Sequence, residues 1–282
     1  MREFNFNIPK TGLKNTNTAT GGLLQLKNLK PEDGYWSVPK ALDMTLGEGQ
    51  LLRGRGVTLL WKEGEEGEEP ELPELPEGAI GISTIEQLQL IGNDVDYPLD
   101  GYYVLTQDID ASATVTWNDG AGFAPIGGSY WTPFIGTLDG QGYGVTDLFI
   151  DRPSEFFVGL VGYNVGGTVT NCYATGAVAG NTEVGGLVGY NDGTVTNCYA
   201  TGAVTGNVFV GGLVGDLGDG TVTASYYDTQ TTGQADNTGK GAPRTTAAMY
   251  QQATFTGWDF GVVWTIIEDT DYPRLEWESA GT

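Results

Sequence analysis

The sequence predicts an all-β protein, a parallel β-helix or β-solenoid with coils of about 26 residues. Repetition is the first reason. "VGLVGYNVGGTVTNCYATGAVAG" (158–180) recurs as "GGLVGYNDGTVTNCYATGAVTG" (185–206) and decays into "GGLVGDLGDGTVTASYYDTQTTG" (211–233). Cys172 and Cys198 lie 26 positions apart, and Cys198 and Ser225 lie 27 apart. Second, the apolar runs are short, β-branched and broken by glycine every few residues, a pattern of strands rather than helices. Third, glycine supplies 45 of 282 residues, about 16% against an ordinary level near 7%. A unit of this size cannot bury a face alone, but stacked on its neighbours it can.

The elements follow in chain order. Residues 1–62 carry nine Lys/Arg against five Asp/Glu and read as a small β-rich or extended N-terminal anchoring segment, with a strand expected in "GVTLLWK" (56–62). Residues 63–78 hold eight glutamates, spaced prolines and no basic residue. Such a stretch repels itself and forms an extended linker. Residues 79–282 form the body, with 23 acidic and four basic residues in 78–282. Its N-terminal cap spans 82–92. There Ser83 and Glu86 are spaced as a capping box, and Ile85, Leu88 and Ile91 can turn toward the first coil at helical spacing. A C-terminal cap spans 245–277. It comprises a helix over Thr245–Ala253 and then Trp258, Phe260, Trp264, Tyr272 and Trp277, which read as a plug over the last coil, with a sugar platform as the alternative.

Stacking turns repeat positions into columns about 4.8 Å apart. Val145, Val169, Val195 and Val222 form one column. Asp147, Asn171 and Asn197 form a second, at a corner where asparagine tolerates left-handed backbone. A bend there sends Leu148, Cys172, Cys198 and Ser225 inward and Phe149, Tyr173, Tyr199 and Tyr226 outward. Without the bend, strict alternation puts valines, asparagines and tyrosines on one face. The outward aromatic column Phe149, Tyr173, Tyr199, Tyr226 is the candidate binding surface, and burial of that column under a loop is its alternative.

The "GGLVG" and "TNCYATGAV" elements resemble the GLUG motif of bacterial surface adhesins and IgA-peptidase-like proteins. "ISTIEQLQLIGN" with "YYVLTQDIDAS" is similar to the opening segment of such regions, "FIGTLDGQGYGV" to a first coil, and residues 249–277 to a closing segment. The resemblance runs over roughly residues 80–277. It implies a β-solenoid with an adhesive or structural role and supplies no catalytic residue. More faintly, "GLKNTNTATGGLLQLKNLKPEDGYWSVP" resembles N-terminal segments of bacteriophage virion proteins.

Composition narrows the chemistry. The chain has no histidine, hence no imidazole base and no histidine metal site. A net charge of −23 disfavours nucleic-acid phosphates. No segment reads as a secretory leader or a membrane span. Two cysteines are too few for structural zinc, and stacked Cys172 and Cys198 read as buried free thiols rather than a disulfide. Paired carboxylates are the remaining catalytic option, as in glycoside cleavage, but no pair stands out. No cofactor is expected. Turn aspartates such as Asp192, Asp216 and Asp219 offer oxygen ligands for calcium, without an EF-hand or nine-residue calcium repeat.

The leading expectation is a non-enzymatic bacteriophage virion protein. Residues 1–62 would dock on other virion proteins or on copies of the chain, and the solenoid would be displayed toward a host glycan or protein. The second is a cell-surface or filament-forming extracellular adhesin. The third is a carboxylate-based glycan depolymerase.

Overall fold

A computed structural model describes residues 75–235, 240–260 and 263–275, together with the backbone of short strands between residues 5 and 60. The chain divides into two compact units, within residues 1–72 and 73–280. In the first, Pro31–Glu32 pairs antiparallel with Tyr35–Ser37, and Leu51–Gly54 with Val57–Leu60. The anchoring role expected of residues 1–62, the linker of 63–78 as far as residue 74, and Trp277 lie outside the described residues.

The second unit is a parallel β-solenoid of about six turns. One sheet stacks Ala79–Ile82, Tyr102–Leu105, Thr137–Asp139, Val161–Thr170 and Val188–Thr196, and ends on Val214–Leu217 and Thr221–Thr223. A second stacks Ile109–Asp110, Gly144–Asp151, Tyr173–Ala179, Tyr199–Ala200 with Val204–Thr205, Tyr226–Asp228 and Ala242–Arg244. A short third sheet stacks Phe156–Val158, Thr182–Gly185 and Val208–Gly211. The three central coils, which begin at Thr137, Val161 and Val188, visit the three sheets in turn, and the inner faces share one core of Val, Ile, Leu and Cys side chains. Fully burying a valine contributes about 1.5–3 kcal/mol, so a column such as Val169 and Val195, both at 0% exposure, holds neighbouring coils together.

The motif glycines let the sheets approach. A Cβ on Gly189 would lie 2.6 Å from the Val158 nitrogen, and one on Gly185 would lie 2.0 Å from the Val188 carbonyl oxygen. Only hydrogen fits there.

The asparagine corner is as expected. Asn171 and Asn197 have φ of +49° and +52°, and the last corner uses Ala224 at +45°. The Asn197 Nδ2 donates to Asn171 Oδ1, and Asn171 Nδ2 to Asp139 Oδ1, each at 3.2 Å. Cys172, Cys198 and Ser225 then point inward, at 1%, 0% and 3% exposure.

The first column of the prediction needs correction. Val169 pairs with Leu138, not Val145, and the valine column is Leu138, Val169, Val195, Val222. Val145 pairs with Ala174 on the second sheet, and Leu148 with Gly176. The coil through 137–151 spends Gly140–Tyr143 on its corner, whereas Asn171 and Cys172 suffice in the next coil. Asp147, at φ +55°, marks a different bend, so its likeness to Asn171 is coincidental. Phe149 accordingly pairs with Ala177, and Gly144 takes the place opposite Tyr173.

The helices near the two ends both shift from expectation. The first helix is Ile85–Leu90 and its N-cap is Thr84, whose hydroxyl accepts from the Gln87 amide at 3.2 Å. Gln87 Oε1 accepts from the Ser83 amide at 2.8 Å. The cap is therefore one residue later than the expected Ser83, and Gln87, not Glu86, reaches back, to Ser83 rather than to the cap itself, which leaves Glu86 exposed in the positive first turn. Ile85, Leu88 and Ile91 are buried as expected. At the other end, the helix Thr246–Met249 is followed by a separate 3-10 turn, Gln252–Thr254. The expected single helix is interrupted at Gln251, whose backbone is extended (φ −118°, ψ 124°) and whose side chain donates to Asp269 at 2.7 Å.

Candidate functional site

The predicted aromatic column does not offer a surface. Tyr173, Tyr199 and Tyr226 stand outside the coil interior in strict register, but they are 7%, 2% and 5% exposed. The C-terminal segment covers them. Phe255, Trp258 and Trp264 pack on the three rings with centroids 5.1–6.5 Å apart. Tyr199 Oη donates to the Pro273 carbonyl at 2.7 Å, and Trp258 Nε1 to the Ala224 carbonyl at 2.7 Å. The aromatic cluster is thus a cover along the side of the second sheet, rather than a plug on the last coil. Phe149 stands apart from the column for the register reason given above.

A different aromatic strip is exposed. Its first part comes from the tyrosine that ends "GLVGY". Tyr163 and Tyr190 are in register, with ring centroids 5.1 Å apart, and the next coil has Asp216 at that place. Its second part is the outward corner of the third sheet. Phe157, Glu183 and Phe209 are equivalent, because Val158 pairs with Val184 and Val184 with Val210. All three are left-handed, at φ +58°, +53° and +54°. Phe157 stacks on Tyr163 at 4.7 Å and meets Tyr190 edge-on at 6.0 Å. The third part is the Ser129–Thr132 turn, whose Tyr130 stacks on Tyr163 at 5.8 Å and touches Trp131 at 5.2 Å. Trp131 is 85% exposed, Tyr130 61%, Phe156 54% and Phe209 51%.

Carboxylates interleave with these rings. Partial burial and then the neighbouring charge of Asp192 and other groups push the Tyr190 hydroxyl above its ordinary range; burial, Tyr130 and Asp192 do the same to Tyr163. Asp216 and Asp219 also bear on Tyr190. Burial first, and Asp216 second, raise the Glu183 carboxyl. The Asp219 amide donates to Asp192 Oδ1 at 2.9 Å. Asp192, Asp216 and Asp219 therefore gather near Tyr190, yet among the described residues no three His, Cys, Asp or Glu side chains converge as a cation site. Cys172 and Cys198 are buried free thiols with Sγ atoms 3.7 Å apart.

One sequence cue pointed to this strip. Within otherwise constant repeats, the pair before "VGG" or "VGL" changes from Phe-Phe (156–157) to Thr-Glu (182–183) to Val-Phe (208–209). Positions that vary inside a fixed frame are free of the core.

Residues 159–179 and 180–205 match the family model of the GLUG motif. Halomucin of Haloquadratum walsbyi is 38% identical over an alignment covering 38% of this chain and 2% of that protein. A protein of Evansella cellulosilytica named as a Gly-rich membrane protein is 44% identical over 41% of this chain and 11% of its own length. The chain therefore spans a small fraction of these relatives. A solved Bacteroides ovatus structure, named as an immunoglobulin A1 protease, overlaps 70% of this chain and 92% of that one at 15% identity and a TM-score of 0.39, too low to decide anything.

Proposed function

We propose that this chain is a non-enzymatic adhesive module of a cell-surface or extracellular protein, and that the exposed aromatic strip is its contact face. The observation that carries this reading is the strip itself. Soluble monomers seldom leave several large aromatics together in water, and such patches mark interaction sites. The GLUG motifs and the names of the two relatives support a surface location. They favour this reading over the virion role expected of residues 1–62. A stacked solenoid also suits adhesion, since it holds the contact groups at fixed spacing and binding orders little further structure.

Beads coated with the full chain provide the test. They should be retained under flow on a bacterial biofilm matrix better than bare beads. Retention should fall severalfold with the paired exchange Trp131→Ala and Phe209→Ser, at unchanged melting temperature. Equal retention of the variant would overturn the contact face. Shortening of matrix polysaccharide by the soluble protein would overturn the non-enzymatic assignment.

A further inference from the structure

We infer that the exposed strip binds a linear polysaccharide of uncharged sugars, laid along the stacking direction with about one sugar ring per coil. The inference rests on the adhesive reading above and names its target.

The mixture of groups argues for a sugar over a protein partner. Protein interfaces concentrate apolar side chains at a core depleted of charge. Here a carboxylate stands within each line of rings: Glu183 lies between Phe157 and Phe209, and Asp216 follows Tyr163 and Tyr190. A partner must therefore present apolar faces and hydrogen-bond donors in alternation at short range. A pyranose does so, with C–H groups on its face and hydroxyls around its edge. Aromatic rings take the faces, and carboxylate oxygens accept from the hydroxyls with the added strength of a charged acceptor.

Spacing argues for a polymer. Equivalent positions on adjacent coils repeat at about 4.8 Å, close to the length of one pyranose in an extended chain. Successive sugars would meet Tyr130 and Trp131, then Tyr163 with Phe157, then Tyr190 with Glu183, then Asp216 with Phe209.

Charge selects which polymer. Residues 78–282 contain only Arg152, Lys240, Arg244 and Arg274 as basic residues against 23 acidic ones. Arg152 is engaged by Glu155 at 2.8 Å and by the Phe123 carbonyl at 3.0 Å. Arg274 is paired with Asp271, and Arg244 lies over the Tyr226 ring, in the covered column. Lys240 is buried and donates to the Gly215 carbonyl. Uronate or sulfated chains would meet unscreened carboxylates on the strip, and uncharged ones would not.

The test titrates the full chain with defined oligosaccharides: β-1,4-glucan and N-acetylglucosamine trimers and hexamers, an alginate hexamer, and a hexalysine peptide. An uncharged hexamer should bind about tenfold tighter than its trimer, a difference of about 1.4 kcal/mol, and alginate should not bind. Trp131→Ala and Phe209→Ser, both at exposed positions, should each weaken the hexamer severalfold while leaving the circular dichroism spectrum and melting temperature unchanged. Absence of binding by every uncharged hexamer, equal binding of alginate, tighter binding of hexalysine, or indifference to both substitutions would each overturn the inference. If bead retention still depends on the strip while no sugar binds, the polysaccharide assignment falls and the adhesive reading stands.

Discussion

Left-handed backbone recurs at two fixed places in the coil, and the side chains found there differ in kind. At one corner Asn171 and Asn197 are suited to the conformation, and their side-chain amides bond from coil to coil. At the other, Phe157, Glu183 and Phe209 adopt it without that help. The first corner was legible in the sequence because asparagine advertises it. The second was not, because nothing in Phe, Glu or Phe signals positive φ; only the stacked frame imposes it. Glu183 carries a further cost. Burial and Asp216 raise its carboxyl pKa in the folded state, so the folded protein holds that proton more tightly than the unfolded chain. Stability therefore falls as pH rises through the window from the ordinary glutamate range to the raised folded value, and the penalty is fully present above it. Glu183→Gln should stabilise the protein at neutral pH and have little effect below the ordinary carboxylate range. Urea melts of both proteins at the two pH values check this, and a neutral-pH loss of stability would show that the charge is better solvated than its surroundings imply.

Strand stacking was legible from the repeat, but the exact partner of each strand was not wherever a coil changed length. "GVTDL" resembles "GTVTNC", yet Thr137–Asp139 is the true neighbour of Thr168–Thr170, because Gly140–Tyr143 lengthen the intervening corner. The location of the C-terminal element was hidden for another reason. Its aromatics declare that they must be buried, but only tertiary packing decides that they bury the tyrosine column and not the open end. That cover makes Tyr199 central, since it touches Phe255, Trp258, Trp264 and Tyr272 and donates to Pro273. Tyr199→Phe should cost about 1–3 kcal/mol by leaving a buried carbonyl short of its donor. Tyr199→Ala should cost about 3–5 kcal/mol, as large aromatic truncations do. Denaturant melts give both values. The alanine variant should also red-shift the fluorescence of Trp258 and Trp264 before global unfolding, which the phenylalanine variant should not. Equal costs for the two would mean that the ring contributes nothing beyond its hydroxyl.

Residues 73–280 behave as a stack in which each coil contacts mainly its neighbours, and stability in such a stack is close to a sum of coil and interface terms. Removing one whole period should then shorten the solenoid without destroying it. Deleting residues 172–197 joins Asn171 to Cys198 and restores the same "TNCYATGAV" string across the junction. It takes out the strands Tyr173–Ala179, Thr182–Gly185 and Val188–Thr196, one from each sheet. The cover keeps its main partners, Tyr199 and Tyr226, with the Pro273 and Ala224 carbonyl contacts. The shortened chain should unfold cooperatively, with a urea m-value lower by about an eighth, the share that 26 of these residues represent, because m scales with the surface exposed. Deleting only residues 172–184 leaves half a period: it removes Tyr173–Ala179 and all of the third-sheet strand but Gly185, so the first-sheet strand Val188–Thr196 would have to follow Val161–Thr170 directly and each inward valine would lose its register. That protein should lack a cooperative transition. The same melts would reveal it if the full-period deletion also failed, and stability would then belong to the intact stack as a single unit. The full-period variant removes Tyr190 and Glu183 from the strip as well, bringing Tyr163 next to Asp216 and Phe157 next to Phe209, so three of the four sugar positions remain and it should bind a tetramer no more tightly than a trimer, whereas the intact chain should prefer the tetramer.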